Sequence, residues 1–258
     1  MDTKRNVLIT GASQGLGYEF AKLFAREKYS LYLVARNAKN LDRIKKELEQ
    51  TYHVSVSVFV KDLSAPSAAQ SLARELDASD VHIDVLVNNA GFATHDDFVT
   101  IPLSDELAEI QVNIVTLTTL TKLLLKGMVE RGYGRILNIA STAAFQPGPH
   151  MAVYYATKAY VLSFSEALSE EVKHTGVTVT ALCPGATKTG FSKRAHMEKS
   201  LLFRGVLVMD AATVARVGYR GLMQGKRVVV PGLHNKISSF VSTHTPHSLT
   251  LPIIKRLQ

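Results

Sequence analysis

Cysteine is nearly absent: Cys183 is the only one among 258 residues. A single thiol closes no internal disulfide, so packing must hold the fold, as in chains from a reducing compartment. Long apolar runs are missing as well. No stretch approaches the roughly 18 uninterrupted apolar residues of a membrane-spanning helix. The opening residues lead into Val7-Leu8-Ile9, an apolar run that ends near Gly11 and is too short for a secretory signal core. These features predict a cytoplasmic protein. No Pro/Gly/Ser-rich linker divides the chain, and no internal repeat or low-complexity tract interrupts it. Nucleic-acid recognition motifs and aromatic stacking platforms are lacking too, so no nucleic-acid partner is expected. No metal site is assigned.

Acidic residues are scarce at one end. Residues 188–258 hold 12 Lys/Arg against only Glu198 and Asp210, whereas residues 1–187 hold 18 Lys/Arg and 20 Asp/Glu. The excess of the +8 net charge is therefore C-terminal. It reads either as a solvated tail, or as attraction to an acidic substrate or an anionic lipid surface. Hydrophobic residues, at 46%, suffice for one sizeable core.

What the chain does have is a rhythm. Short apolar runs at 6–10, 30–35, 54–60, 84–88, 135–140, 177–182 and 227–230 read as strands buried on both faces. Helical periods fill the gaps at 15–28, 38–50, 65–78, 105–131, 152–174 and 210–224. Strand-helix-strand repetition predicts an α/β fold: one Rossmann-like domain with a doubly wound, seven-stranded parallel sheet flanked by helices. The catalytic domain is expected over residues 1–230. Residues 191–208 are too long for a simple connection and read as an inserted substrate loop. The basic extension 231–258 shows no clear pattern and reads as a docking arm, an interfacial helix, or a frayed end.

The first strand ends in Thr10-Gly11-Ala12-Ser13-Gln14-Gly15-Leu16-Gly17, and a helix follows at once. Glycines there permit a tight turn and close approach to phosphate oxygens, and the helix start offers free N–H groups to a pyrophosphate. No Gly-Lys-Ser/Thr follows, which excludes a nucleoside-triphosphate loop. The second strand ends in Ala35-Arg36, where NAD-binding proteins place a carboxylate for the ribose. Arginine can pair with a 2′-phosphate, so NADP(H) is favoured over NAD(H). Arg36 could instead be a plain surface residue. Lys39 is a possible second cation. Asp62 suits the adenine amino group or a helix cap.

Tyr154 and Lys158 are four apart on one helical face. An ammonium beside a phenol stabilises phenolate and lowers its pKa from about 10, which suits proton exchange with a substrate oxygen. The spacing alone is common on surface helices. Cys183 lies on an apolar run with no adjoining base and reads as a buried, inert thiol.

Taken in order, Thr10-Gly11-x-x-x-Gly15-x-Gly17, Asn88-Asn89-Ala90-Gly91, Ser141, Tyr154-x-x-x-Lys158 and Pro184-Gly185 resemble the short-chain dehydrogenase/reductase family over residues 5 to about 230. The chain is similar to bacterial members labelled ketoacyl or hydroxysteroid reductases. The resemblance implies that Tyr154 is the acid/base, that Lys158 binds the nicotinamide ribose, and that Ser141 holds the substrate oxygen. Thr142 is the rival for Ser141. Asn113 matches the asparagine that extends the proton relay through a water; a helix-to-helix hydrogen bond is its plain alternative. The cofactor would be held by Gly11, Ser13, Gln14, Gly15, Leu16, Gly17, Arg36, Asp62, Leu63, Asn89, Ala90, Gly91, Pro184, Gly185, Thr187 and Thr189, besides Tyr154 and Lys158. Many NADP-preferring relatives carry a basic residue where this chain has Gln14, so the preference rests on Arg36.

The substrate pocket is expected to include Phe145, Gln146, His150 and Phe191. The implied activity is hydride transfer between NADP(H) and a ketone, aldehyde or 3-oxoacyl-type carbonyl, or the reverse, in a homodimer or homotetramer built on helices 105–131 and 152–174. A non-catalytic dinucleotide sensor would lack the tyrosine or lysine. A dehydratase or epimerase on this fold usually has a larger substrate domain. A membrane-surface reductase of lipid-like ketones is a refinement resting on the basic C-terminus.

Overall fold

Parallel strands buried on both faces must send successive side chains into two separate cores, and the first strand shows this directly. The computed structural model describes residues 5–195, 197, 200 and 208–257. In β1 (Asn6–Thr10), Val7 and Ile9 point to one face and Leu8 to the other. Leu31 and Leu33 of β2 (Ser30–Ala35) join the first face, and Val34 joins the second. This period of two makes a continuous apolar run the right composition for a central strand.

The sheet has seven parallel strands in the order β3-β2-β1-β4-β5-β6-β9. The remaining members are β3 (Val56–Val60), β4 (Val85–Asn88), β5 (Gly134–Ile139), β6 (Val177–Leu182) and β9 (Val228–Val229). One face is covered by α1 (Gly15–Arg26), α2 (Ala38–Tyr52) and α8 (Ala211–Met223), which contribute Phe20, Phe24, Leu41, Ile44, Val214 and Leu222. The other is covered by α3 (Ala68–Ala78), α5 (Leu117–Glu130) and α6 (Ala152–Glu171), through Leu72, Leu76, Leu120, Met128 and Leu168. The order reverses between β1 and β4, so their C-terminal ends diverge into a crevice. The expected strands and helices stand within about three residues of their predicted bounds.

Three features depart from the expectation. The helix predicted from 105 runs from Leu103 to Glu130 as α4 (Leu103–Ile110), a π-helical segment Gln111–Thr116, and α5. By length and composition it could cross a membrane. It carries the buried Glu106, Glu109 and Asn113 and packs on α3, α6 and β5, as a core helix does. Gly190 is followed by a short helix, α7 (Phe191–Arg194), and β7 (Thr187–Lys188), which precedes it, pairs over two residues with β8 (Met209–Asp210). Of the predicted 191–208 loop, residues 196, 198, 199 and 201–207 lie outside the described residues. The C-terminal extension is neither frayed nor patternless. It forms α9 (Leu233–His244) and α10 (His247–Leu257), and both wall the central cavity.

Candidate active site

The β1–α1 turn is stitched to the β4 end. Asn89 donates its side-chain N–H to the carbonyls of Thr10 (2.9 Å) and Gly11 (3.1 Å). The Thr10 hydroxyl accepts from the Asn89 and Ala90 amides, both at 3.0 Å. Gly11 and Gly15 have φ of +66° and +56°, which L side chains rarely adopt. A Cβ on Gly17 would sit 2.3 Å from the Gly11 carbonyl oxygen, so only glycine lets α1 start this close to the turn. The N-cap residue of α1, Gln14, makes no side-chain cap bond, which leaves first-turn N–H groups facing the crevice.

Above this turn lies a cavity of about 1400 Å³. That exceeds the roughly 300–1,000 Å³ of a site for one drug-sized ligand and suits a dinucleotide plus a substrate. Gly11, Ser13, Gln14, Gly15, Leu16, Arg36, Asp62, Leu63, Asn89, Ala90, Gly91, Pro184, Gly185, Thr187 and Thr189 all line it, as predicted. Gly17 does not: it is packed beneath the turn and shapes the cavity from behind. Lys39 is exposed and off the wall, with Asn37 and Asn40 facing the cavity instead. Asp62 caps no helix. Its carboxylate accepts from the Ser64 amide (3.0 Å) and hydroxyl (2.7 Å), and these bonds, aided by Arg36 and Arg194, hold it below the usual carboxylate range.

At the deep end, α6 brings Tyr154 and Lys158 together under Ser141, which follows β5. All three line the cavity. The Lys158 ammonium is buried, donates to the Ile139 carbonyl at 2.8 Å, and lies 5.6 Å from the Tyr154 ring centre. Burial pulls its pKa down to about 8, against the opposing pull of Glu109. The Tyr154 phenol corrects the expectation of a depressed pKa. Burial pushes it above its ordinary value, and the hydrogen bond with Ser141 only partly offsets this. The phenol therefore keeps its proton at neutral pH. Ser141 accepts from the Ala143 amide (3.1 Å), and the Thr142 amide is spent on the Pro184 carbonyl (2.9 Å).

Asn113 stands behind the wall, in the π-helical segment. Its side chain donates to the Phe92 carbonyl (2.9 Å) and the Thr157 hydroxyl (3.1 Å) and accepts from the Phe92 amide (3.2 Å). The Thr157 bond is the helix-to-helix contact anticipated as its plain alternative. A Cβ on Gly91 would come within 3.0 Å of the Asn113 oxygen and 3.5 Å of the Lys158 nitrogen, so Gly91 lets these groups approach. Asn88 donates to Thr121 (3.0 Å) and Asn138 (2.9 Å), and Asn138 donates to Ser165 (2.9 Å). This buried polar chain pins β4 and β5 between α5 and α6.

A profile described as short chain dehydrogenase matches residues 5–200 of this chain. The chain belongs to the short chain dehydrogenase family. Among its relatives, the very-long-chain 3-oxoacyl-CoA reductase of Bos taurus is 33% identical over 198 residues, covering 74% of this chain and 63% of that protein. The ketoacyl reductase HetN of Nostoc sp. is 33% identical over 193 residues, covering 74% and 66%. The chain thus spans just under two thirds of the length of these relatives. The short-chain dehydrogenase of Sphingobium yanoikuyae, solved in complex with NADPH, superposes with a TM-score of 0.83 at 31% identity, covering 95% of this chain and 97% of that one.

Two predicted pocket residues of this short chain dehydrogenase lie elsewhere. Phe145 ends the 3₁₀ turn Thr142–Phe145 and packs among Leu117, Val161 and Cys183, leaving Ala143 and Gln146 on the wall. His150 is off the wall, with its ring nitrogen 3.0 Å from the Asp97 carboxylate. Phe191 is in place, its ring centre 5.4 Å from that of Tyr154. Cys183 is buried, and burial raises its thiol pKa to about 12, an inert group.

Five wall or near-wall residues carried no sequence signal. Arg194, on α7, lines the cavity with its guanidinium 3.9 Å from the centre of the Phe92 ring. Asn235 closes on Gly185, whose absent Cβ would lie 2.2 Å from the Asn235 oxygen. His234 Nε2 and Ser239 Oγ, on the wall side of α9, have no hydrogen-bond partner among the described residues. Glu109 is fully buried, accepts from the Thr94 amide (2.8 Å) and hydroxyl (3.0 Å), and has its pKa raised by burial to about 7.

Glu109 yields a stability prediction. Its folded pKa exceeds the unfolded value of about 4.3, so the fold holds this proton more tightly than the open chain does. The destabilisation is absent below that value, grows as pH rises toward 7, and is complete above it. Glu109→Gln is expected to change stability little at pH 4.5 and to raise it by roughly 1–3 kcal/mol at pH 8. Urea unfolding at both pH values checks this, and an equal difference at both would refute it.

Proposed function

We propose that this protein is an NADPH-dependent reductase that converts a ketone or 3-oxoacyl-type carbonyl to an alcohol. The observation that carries the reading is the convergence of Ser141, Tyr154 and Lys158 on the wall of one cavity whose other end holds the glycine turn and Arg36. The residues fit a dinucleotide. Gly11 and Gly15 take the backbone shape that a phosphate-hugging turn needs, no carboxylate stands at Ala35, and Arg36 is free to meet a 2′-phosphate. The NADPH bound in the Sphingobium structure and the 3-oxoacyl-CoA reductase name of the bovine relative point the same way.

A bound nicotinamide supplies the hydride. The chain's own residues do the rest. Ser141 and Tyr154 donate hydrogen bonds to the carbonyl oxygen, polarise it and fix its position. Tyr154 then gives its proton to that oxygen. A protonated phenol suits the donor role, and we assign reduction as the working direction because NADPH is the favoured cofactor. Lys158, with its ammonium near the phenol, stabilises the charge left on Tyr154. Asn113 holds the Phe92 backbone and Thr157 in place beside the lysine, and we assign it the extension of the relay toward solvent.

The apolar wall residues Phe191, Met197 and Ile254 favour a bulky apolar group on the carbonyl. Purified protein with NADPH should oxidise the cofactor, followed by its absorbance, faster with long-chain 3-oxoacyl thioesters and bulky ketones than with acetone. No turnover across such a panel would overturn the reading. The exposed Leu107, Val115, Leu123 and Tyr160 lie on α4, the π-helical segment, α5 and α6, the helices proposed for dimer or tetramer contacts.

A further inference from the structure

An amphipathic helix on a protein surface normally turns its apolar stripe inward. Helix α9 does the reverse. Leu233, Ile237, Phe240 and Val241 recur at helical spacing on one face, and they are 73%, 57%, 65% and 52% exposed. Asn235 and Ser239, on the opposite face, are buried against the cavity, and Ser242 beside them donates to Gln146 at 2.6 Å. The polar face thus serves the site while the apolar face meets solvent. Helix α10 extends the patch with Leu249 and Ile253, 61% and 58% exposed. Val241 and Ile253 also line the cavity, so the patch runs into its wall.

The charge on these two helices has one sign. No Asp or Glu follows Asp210, whereas Lys236, Lys255 and Arg256 lie on α9 and α10 and are exposed. We infer that α9 and α10 seat the protein on an anionic lipid bilayer, with Leu233, Ile237, Phe240 and Leu249 entering the interface and the cations meeting lipid phosphates. Exposed apolar side chains on a helix flanked by cations have the composition of an interfacial membrane helix. A second copy of the chain fits the face poorly. A two-fold contact made by α9 and α10 alone would bring Lys236, Lys255 and Arg256 of both copies together, with no carboxylate in residues 211–258 to offset them. Binding of this kind does not depend on which reaction the cavity carries out.

Deleting 231–258 would also remove a cavity wall, so surface substitutions are the better test. The full-length protein is sedimented with phosphatidylcholine vesicles that contain or lack phosphatidylglycerol. It is expected to pellet with the anionic vesicles and to release in high salt. Ile237→Asp with Phe240→Asp, checked for an unchanged circular dichroism melt, should lower binding about tenfold or more. Should that variant misfold, Lys236→Glu with Lys255→Glu leaves the apolar face intact and should weaken binding to anionic vesicles selectively. Wild-type protein that stays in the supernatant, or a folded variant that pellets as well as wild type, would overturn the inference. So would an apolar-face variant whose only change is from dimer to monomer in sedimentation velocity.

Discussion

Tyr154→Phe is expected to lower kcat for carbonyl reduction by about a thousandfold, the loss typical when a positioned general acid is removed. The substitution deletes one hydroxyl and keeps the ring. The aromatic contacts with Phe191 and Tyr155, at centre distances of 5.4 and 6.1 Å, therefore persist. Lys158 keeps its bond to the Ile139 carbonyl, and the glycine turn lies at the other end of the cavity. NADPH affinity, read by fluorescence titration, should stay within about twofold, because the group removed is asked to act in the transition state. The pairing of lost rate with retained binding separates a reductase from a dinucleotide sensor. A variant that retains most of its rate would show that another group supplies the proton.

Arg36→Asp is expected to weaken NADPH binding by about a hundredfold and to leave NADH binding equal or better. Truncating one partner of a charge pair typically costs about 2–5 kcal/mol, and a carboxylate at this point repels a 2′-phosphate while accepting from a ribose hydroxyl. Arg36 follows β2, is exposed and lines the cavity. Arg194 complicates the picture. Burial lowers the Arg194 pKa, and repulsion from the nearby Arg36 adds to it. A phosphate between them would relieve that repulsion. The ratio of kcat/KM for NADPH to that for NADH, measured for Arg36→Asp and Arg194→Ala, assigns the reading. An unchanged ratio in the first would move 2′-phosphate recognition away from Arg36.

The residues legible in the sequence were those whose role depends on backbone shape or on spacing within one element. Gly11 and Gly15 are tied to positive φ in a strand-to-helix turn. Tyr154 and Lys158 are tied by one helical turn of α6. Ser141 follows β5 and was readable through the family resemblance. The errors involve side-chain direction at element ends. Phe145 follows Ser141 closely, but a 3₁₀ turn rotates it into the Leu117–Val161 core. His150 is near Tyr154 in sequence, but pairs with Asp97 instead. Gly17 shares its motif with true wall residues, yet only the 2.3 Å clearance beneath it shows that it acts through packing. The spacing of Tyr154 and Lys158 shows the ammonium but not the burial, which pushes the phenol pKa up.

The parallel sheet and the nucleotide-type crevice were readable from the residues, because period-two burial, helical spacing and glycine geometry are local and repeat along the chain; the Ser141-Tyr154-Lys158 set was readable only through the family resemblance. Only the tertiary structure decided that Glu109, Arg194 and Asn235 stand at the site, and that α9 turns its polar face inward and its apolar face out. Those outcomes depend on which surfaces remain when distant elements meet. A helix carries its own pattern in its residues, but which side of it faces water is set by what it packs against.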